Sequence, residues 1–160
     1  MQENFDFPPK VLYENRYCNQ VDFSVLVCGG RNKNYKNVKS VFKLHFPNFK
    51  CEKYTNMPEA LNDCKTAVIN SDLFVFGGYF QNGEYDSCVR KFCNKTKTWS
   101  CKTQTDIKFN FFIICSFKQN ICVIRHNGSC FVYNFRTYKL SQIAIMNIGR
   151  YYPACTVFEN

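Results

Sequence analysis

The chain has 160 residues, of which 46% are hydrophobic and 18% aromatic, and its formal net charge is +9. This length fits one domain with a sizeable core, and the apolar content excludes an intrinsically disordered chain. No apolar run approaches the roughly 20 residues that a transmembrane helix needs, so no membrane contact is expected. The first residues lack a basic region followed by an apolar stretch, which predicts a cytoplasmic location unless a longer chain carries a targeting segment elsewhere.

Residues 1–22 come before any repeated pattern. Within them, Phe7-Pro8-Pro9-Lys10 is typical of an extended segment, because a residue before proline is driven out of the helical region. We therefore expect a linker over residues 1–22 that leads into one domain over residues 23–160.

A short apolar run occurs three times along this domain, and each copy begins 48 residues after the previous one. The copies are Val25–Gly30, Leu73–Gly78 and Ile121–His126. A second apolar run follows each copy, over Val41–Leu44, Val89–Phe92 and Phe131–Tyr133. A further run closes each repeat, over Ala67–Ile69, Phe111–Cys115 and Ala154–Phe158.

These runs predict about four short strands in each repeat, with repeats over residues 23–70, 71–118 and 119–160. The first strand of each repeat is almost wholly apolar, which indicates a strand that is covered on both faces. We therefore expect Val25–Cys28, Leu73–Phe76 and Ile121–Ile124 to be buried, in three antiparallel sheets that pack side by side.

A period of about 50 residues with an apolar run ending in Gly-Gly resembles the kelch family, in particular the propellers of BTB-Kelch adaptor proteins. The resemblance covers roughly residues 22–160 and is strongest in the second repeat, where a Tyr follows the Gly-Gly and a Trp stands at the family's Trp position. It implies an all-β fold, a partial kelch β-propeller of three four-stranded blades. It also implies structural roles for Gly29, Gly30, Gly77, Gly78 and Trp99.

The third repeat departs from the family pattern, because Arg125 and His126 stand in place of the two glycines. Side chains make a positive φ costly, so the third loop is expected to be shaped differently or to be specialised. One repeat corresponds to one blade, and a closed propeller typically has about four to eight blades, so three repeats are too few to close one. A fragment, a degenerate gene product and half of a dimeric ring all fit this count. Apolar blade faces left open at both ends predict self-association.

In BTB-Kelch adaptors, the partner peptide lies across a mouth formed by the loops after the Gly-Gly and the loops before the innermost strands. The resemblance places seven candidate partner-binding residues there: Arg31, Asn32, Tyr79, Phe80, His126, Asn127 and Arg150. Because the chain is basic, we expect the protein partner to present an acidic or polar peptide. Nucleic acid is not an expected partner, because no nucleic-acid-binding module is recognisable.

Catalysis finds little support in the sequence. The two histidines, His45 and His126, fall in different repeats, and clustered zinc ligands are not apparent. We therefore expect no enzyme activity, no cofactor and no metal, although galactose oxidase is an enzyme of the kelch type. The eleven cysteines are scattered and are expected to be reduced packing residues. Redox sensing by an exposed loop cysteine, such as Cys88 or Cys130, is the alternative.

The function that these observations favour is a protein–protein interaction module. The resemblance implies the substrate-recognition part of a BTB-Kelch adaptor for a cullin ubiquitin ligase. A cytoskeletal scaffold that binds actin is the main alternative, and a galactose-oxidase-like enzyme is a weaker one.

Overall fold

The computed structural model describes residues 23–117 and 120–158, and within these ranges the chain forms strands, turns and loops. No helix that is long and apolar enough to cross a membrane occurs in this part of the chain. The strands form three separate sheets, and every strand pairing is antiparallel. The all-β prediction is therefore confirmed. The linker predicted over residues 1–22 lies outside the described residues.

Sheet 1 has the strand order β1-β2-β3, with β1 over Phe23–Cys28, β2 over Ser40–Phe46 and β3 over Cys51–Asn56. Sheet 2 has the order β4-β5-β6-β7. Its strands are β4 (Lys65–Ile69), β5 (Asp72–Phe76), β6 (Cys88–Cys93) and β7 (Thr98–Gln104). Sheet 3 has the order β8-β9-β10-β11. Its strands are β8 (Phe112–Phe117), β9 (Asn120–Arg125), β10 (Ser129–Asn134) and β11 (Lys139–Ile145).

The three sheets repeat one plan. The first apolar run of each sequence repeat forms β1, β5 or β9, and the second run forms the strand paired with it, β2, β6 or β10. A register shift then recurs in the next pairing, after Val41, Val89 and Cys130. The run Ala67–Ile69 lies in β4, so the end of one sequence repeat supplies the first strand of the next sheet.

β5 lies between two halves of the core. Leu73 and Val75 belong to a buried cluster between sheets 1 and 2, whereas Phe74 and Phe76 belong to a cluster between sheets 2 and 3. Successive side chains of a strand alternate between its faces, so a strand packed on both sides is apolar at every position. The predicted burial of Leu73–Phe76 is confirmed.

Aromatic rings dominate the cluster between sheets 2 and 3. Phe76 meets Tyr133 and Phe109 edge-on, with ring centroids 5.2 and 6.1 Å away. In β9, Ile121 and Val123 are fully buried in this cluster, while the alternate residues of the strand remain partly exposed. The predicted burial of this third run therefore holds for every second residue.

The predicted burial of Val25–Cys28 is wrong. Leu26 and Cys28 pack against the cluster between sheets 1 and 2, but Val25 and Val27 are 44% and 54% exposed. The reason is that β1 belongs to a sheet packed on one face only, since sheet 2 is the one described sheet that shares a cluster with it. Half of an apolar strand is thereby left facing outward.

The predicted strand over Ala154–Phe158 is also wrong, because these residues have no regular secondary structure. Val157 and Phe158 are exposed, and the segment takes part in none of the described strand ladders. It is linked to sheet 3 by a hydrogen bond from Cys155 Sγ to the carbonyl oxygen of Ile114 at 3.4 Å. An apolar run needs a neighbouring strand to form a sheet, and none is described beside this one.

The cysteine prediction needs one correction. Cys88 of β6 and Cys101 of β7 form a disulfide, and the other eight described cysteines are free. Cys88 lies opposite Gln104 and Cys101 lies opposite Arg90, so the disulfide joins the two strands diagonally across the register shift after Val89. Cys88 and Cys130 are buried strand residues rather than exposed loop residues.

The connections fall at two opposite ends of the sheets, because all strands are antiparallel. One end carries short turns, including residues 47–50 and 94–97. The other end, which we call the loop face, carries the segments 29–39, 57–64, 77–87, 105–111, 126–128 and 146–153. The loops after β1 and β5 are long, whereas β9 and β10 are joined by residues 126–128 alone. The third loop is therefore shaped differently from the first two, as one of the two sequence expectations proposed.

Candidate functional site

Six ring-bearing residues come together on the loop face between sheet 2 and sheet 3. This aromatic cluster consists of Tyr79, Tyr85, Phe111, His126, Tyr151 and Tyr152. Tyr151 and Tyr152 are 71% and 79% exposed, so much of the cluster faces solvent. Large rings at a loop face of a rigid sheet array are suited to contact with a partner.

Phe111 is the centre of the cluster. Its ring meets His126 edge-on at 5.6 Å, Tyr152 at 5.7 Å and Tyr151 at 6.3 Å between centroids. Tyr151 also stacks on the His126 ring at 5.2 Å with an interplanar angle of 28°. Rings in these offset and edge-on arrangements attract each other, so the exposed tyrosines are held in place by the half-buried Phe111 and His126.

The shortened third loop explains why these rings meet. The His126 backbone N–H donates to the Phe111 carbonyl oxygen at 2.9 Å, which fixes the turn beside the start of β8. Met146 N–H donates to the Gly128 carbonyl oxygen at 2.9 Å, which holds the segment 146–153 against the same turn. A Cβ atom at Gly149 would lie 2.5 Å from the His126 carbonyl oxygen, so glycine permits the close approach.

Tyr79 and Tyr85 extend the cluster onto sheet 2. Their rings are 4.5 Å apart, and Tyr79 lies 6.5 Å from Phe111. Burial, followed by a hydrogen bond with Tyr85, raises the pKa of the Tyr79 hydroxyl above its ordinary value. The nearby Tyr152 hydroxyl also raises this pKa. Tyr79 is therefore a neutral hydrogen-bonding group at physiological pH.

The first long loop is attached to the second by hydrogen bonds. Asn37 is the link: its side-chain amide donates to the Tyr79 carbonyl oxygen at 2.8 Å, and its backbone N–H donates to Gln81 Oε1 at 2.6 Å. Arg31 is exposed and donates from Nε to Asn37 Oδ1 at 3.3 Å. Through Asn37, Arg31 is therefore connected to the Tyr79 side of the aromatic cluster.

The other candidate residues occupy different positions on the loop face. Asn32 and Asn127 accept backbone N–H groups within their own turns, at 3.0 and 3.1 Å, and both are exposed. Phe80 packs against the cluster between sheets 1 and 2, away from the aromatic cluster. Arg150 is exposed and directly precedes the two exposed tyrosines. The structure thus brings Tyr79, His126 and the Arg150 segment together, with Phe80 turned into the core.

The residues expected to be structural lie in turns and in the core. The glycines that end the first two apolar runs all have positive φ: Gly29, Gly30, Gly77 and Gly78. Trp99 of β7 packs on Phe92 of β6, with ring centroids 5.1 Å apart, and remains partly exposed. It therefore packs on its own sheet and against the cluster between sheets 1 and 2.

The described residues offer little else that resembles a chemical site. A groove of about 610 Å³ lies at the loop-face end of β2 and β3, and its lining includes Lys39, Lys53 and Glu59. Within residues 23–117 and 120–158, no group of three or more His, Cys, Asp or Glu side chains is arranged to hold a metal ion.

The comparisons with known proteins agree with this architecture. Residues 60–104 match the Kelch motif family. The matched kelch repeat covers sheet 2 together with the loop that leads into it. The solved structure of the protein YjhT superposes on 78% of this chain with a TM-score of 0.64 at 15% sequence identity. The match includes 49% of YjhT, so this chain spans about half the length of that relative.

At this identity the likeness to YjhT concerns the fold alone, and the three sheets form part of a kelch-type propeller. A comparison with curated protein sequences gives no match. The predicted fold is therefore confirmed, while the resemblance to BTB-Kelch adaptors stays a prediction.

Sequence reasoning missed four of the six members of the aromatic cluster, Tyr85 among them. Phe111, Tyr151 and Tyr152 were not among the predicted site residues, although the two tyrosines directly follow Arg150 in the sequence. Arg125, which precedes His126, was noted as a replaced glycine and was not assigned to the site. The signal that points to these residues is their position in segments that precede or follow strands at the loop face.

Proposed function

We propose that this chain is a protein-interaction module that binds an extended acidic or polar peptide across the loop face. The observation that carries the proposal is the aromatic cluster, whose two most exposed members are Tyr151 and Tyr152. Kelch repeats generally mediate protein–protein interaction, and the matched repeat supplies part of this surface. Tyrosine and arginine are among the residue types most enriched at binding hot spots. Arg31 is linked through Asn37 to the Tyr79 backbone, and Arg150 directly precedes Tyr151 in the sequence.

The net charge of +9 supports the acidic character of the partner. A basic surface accelerates the encounter with an acidic peptide and disfavours basic competitors. Within this proposal, the role is recognition rather than catalysis, in the cytoplasm. The finer role is substrate recognition for a cullin ubiquitin ligase, supported by the sequence resemblance. The alternative, an actin-binding scaffold, predicts that the chain sediments with actin filaments.

The test is selection of peptides from a random library by the whole chain. Bound peptides should lose affinity by about 10- to 100-fold when Tyr151 and Tyr152 are both replaced by alanine, the range expected for a hot spot of about 2 kcal/mol. Phe49→Ala is the matched control, because Phe49 is an exposed ring in the turn at the opposite end of the sheets. Equal binding by the double variant and the wild type would contradict the proposal.

A second property is supported by the open face of sheet 1. Phe23, Val25 and Val27 form an apolar stripe on β1, and all three are more than 40% exposed. We propose that a second copy of this chain covers the stripe, since one copy matches 49% of YjhT and a second copy could supply the remaining part of a propeller of that size. Light scattering after gel filtration should give a dimer that Val25→Glu converts to a monomer. A monomeric wild type would refute it.

A further inference from the structure

Two polar atoms beside the aromatic cluster are buried without a hydrogen-bond partner. They are Arg125 Nε and His126 Nδ1, and the described part of the chain contains one more such side-chain atom, Trp99 Nε1. Leaving a buried donor or acceptor unpaired is costly, and native structures keep such groups few. Two of them on adjacent residues at one surface site therefore indicate a place where a ligand supplies the missing partner.

The surroundings of Arg125 define the chemistry of that partner. Its Nη2 donates to Asn110 Oδ1 at 3.0 Å, and Arg125 forms no ion pair within the described residues. Arg90 shows the contrast, because its guanidinium is also largely buried but is paired with the carboxylate of Asp86. Burial lowers the pKa of Arg125, yet the group stays charged at physiological pH. A partly buried cation without a carboxylate favours an anionic ligand group.

The neighbouring rings place this cation within the binding surface. Asn110, the partner of Arg125, directly precedes Phe111, and His126 stacks on Tyr151. The Arg125 side chain thus begins at the turn that also carries one ring of the aromatic cluster. Arg125 therefore adjoins the surface that the proposed peptide would contact.

We propose that Arg125, with His126 beside it, forms a carboxylate subsite of the loop face. This inference rests on the proposed function and names the group that the site selects in its peptide. The guanidinium offers a fork of N–H donors that matches the two oxygens of a carboxylate, and His126 Nδ1 donates a further hydrogen bond in the tautomer that protonates it. The apolar parts of the peptide rest on the exposed tyrosines. The glycine that other repeats carry at this position supplies no such group.

The carboxylate has two possible sources, an Asp or Glu side chain or the free carboxyl terminus of the peptide. Two random peptide libraries separate them: one with amidated and one with free carboxyl termini, each selected on the full-length wild-type chain. Enrichment of Asp or Glu at one position in the amidated library identifies a side chain. Enrichment confined to the free library identifies the terminus.

Three variants then assign the preference to Arg125. Arg125→Gln should remove the acidic preference and weaken the selected peptides by at least 10-fold, while peptides still bind through the tyrosines. Arg125→Lys keeps the charge but not the fork, so it should restore binding only in part. Arg136→Gln is the control for net charge, because Arg136 is exposed in a turn at the opposite end of the sheets.

The outcomes separate this inference from the proposed function. Peptides that depend on Tyr151 and Tyr152 but show no acidic preference would overturn the carboxylate subsite and leave the proposed function intact. An acidic preference that Arg125→Gln does not change, in a variant with a wild-type melting temperature, would overturn it as well. If Arg125→Gln does not fold, two other results test the subsite. Peptides selected by the wild type should be enriched in carboxylates, and Arg125→Lys should bind them more weakly than the wild type does; failure of either would overturn the subsite. A wild type that selects no peptide refutes both.

Discussion

Replacing Gly77 by alanine tests how the turns of sheet 2 fit against the segment that leads into sheet 3. Gly77 has a φ of +46°, which L side chains rarely adopt. A Cβ atom built there would lie 2.9 Å from Cγ of Phe109 and closer still to its Cβ, and 3.1 Å from the carbonyl oxygen of Asp86. Phe109 is fully buried in the cluster between sheets 2 and 3, so it has no free space into which to move.

The expected loss of stability has two parts. The left-handed conformation costs a non-glycine residue about 1–2 kcal/mol. Forcing an extra carbon into a packed core typically costs about 1–3 kcal/mol more. Gly77→Ala should therefore lower the free energy of unfolding by about 2–5 kcal/mol. Gly30→Ala is the matched control, because Gly30 has a φ of +97° and a Cβ atom there meets nothing within 4 Å. It should cost the conformational part alone.

The assay is urea unfolding followed by tryptophan fluorescence, since Trp99 is the single Trp of the chain. Both variants should keep the wild-type dependence on urea and differ in the midpoint of the transition. Equal losses at Gly77 and Gly30 would refute the reasoning, because they would show that the contact with Phe109 contributes nothing.

Three further perturbations test other parts of the structure. Trp99→Ala should cost about 1–3 kcal/mol by thermal unfolding, less than a fully buried Trp, because Trp99 is partly exposed; an unchanged midpoint would show that it packs on nothing. Asp86→Ala should lower the free energy of unfolding by about 3–5 kcal/mol, because it leaves the largely buried Arg90 unpaired. The control Asp106→Ala removes an exposed carboxylate and should lower it little. Similar losses in the two variants would contradict the role of the ion pair. Burial, followed by the neighbouring Cys64, raises the pKa of Cys28 from 9.0 to about 12. The neutral thiol therefore stabilises the fold fully below pH 9, and this contribution is lost as the pH rises from 9 to 12. In Cys28→Ala, the free energy of unfolding should fall less steeply over this pH range than in the wild type. The same dependence of stability on pH in both proteins would contradict the role of the Cys28 thiol.

The repeated architecture was predictable because the order of apolar and polar residues along short segments determines which strands form and which faces they bury. β5 is apolar at four successive positions, which is the pattern of a strand packed on both faces, and the structure packs it so. The same pattern in β1 predicted burial that is not observed, because composition does not reveal whether a second sheet lies beside a strand. The apolar run Ala154–Phe158 was predicted to be a strand for the same reason, because its sequence does not show that no described strand lies beside it. The segment has no regular secondary structure.

The candidate site was predictable only where it depends on a repeat position. Tyr79 and His126 were found because they follow the first apolar run of their repeats. Phe111 and Tyr152 joined the site through contacts between segments about 40 residues apart in sequence, which no local pattern encodes. The shortened loop after β9 draws them together, and its effect appears only once the segment after β11 is seen to fold back on it.

The most direct test of the account is to map where a selected peptide binds. Titration of the isotope-labelled chain with that peptide, followed by two-dimensional amide NMR, reports the contacted residues without any substitution. We predict that the largest shifts occur at Tyr79, Phe111, His126, Tyr151 and Tyr152. Shifts confined to the open face of β1, or to the turns at the opposite end of the sheets, would contradict a partner-binding loop face.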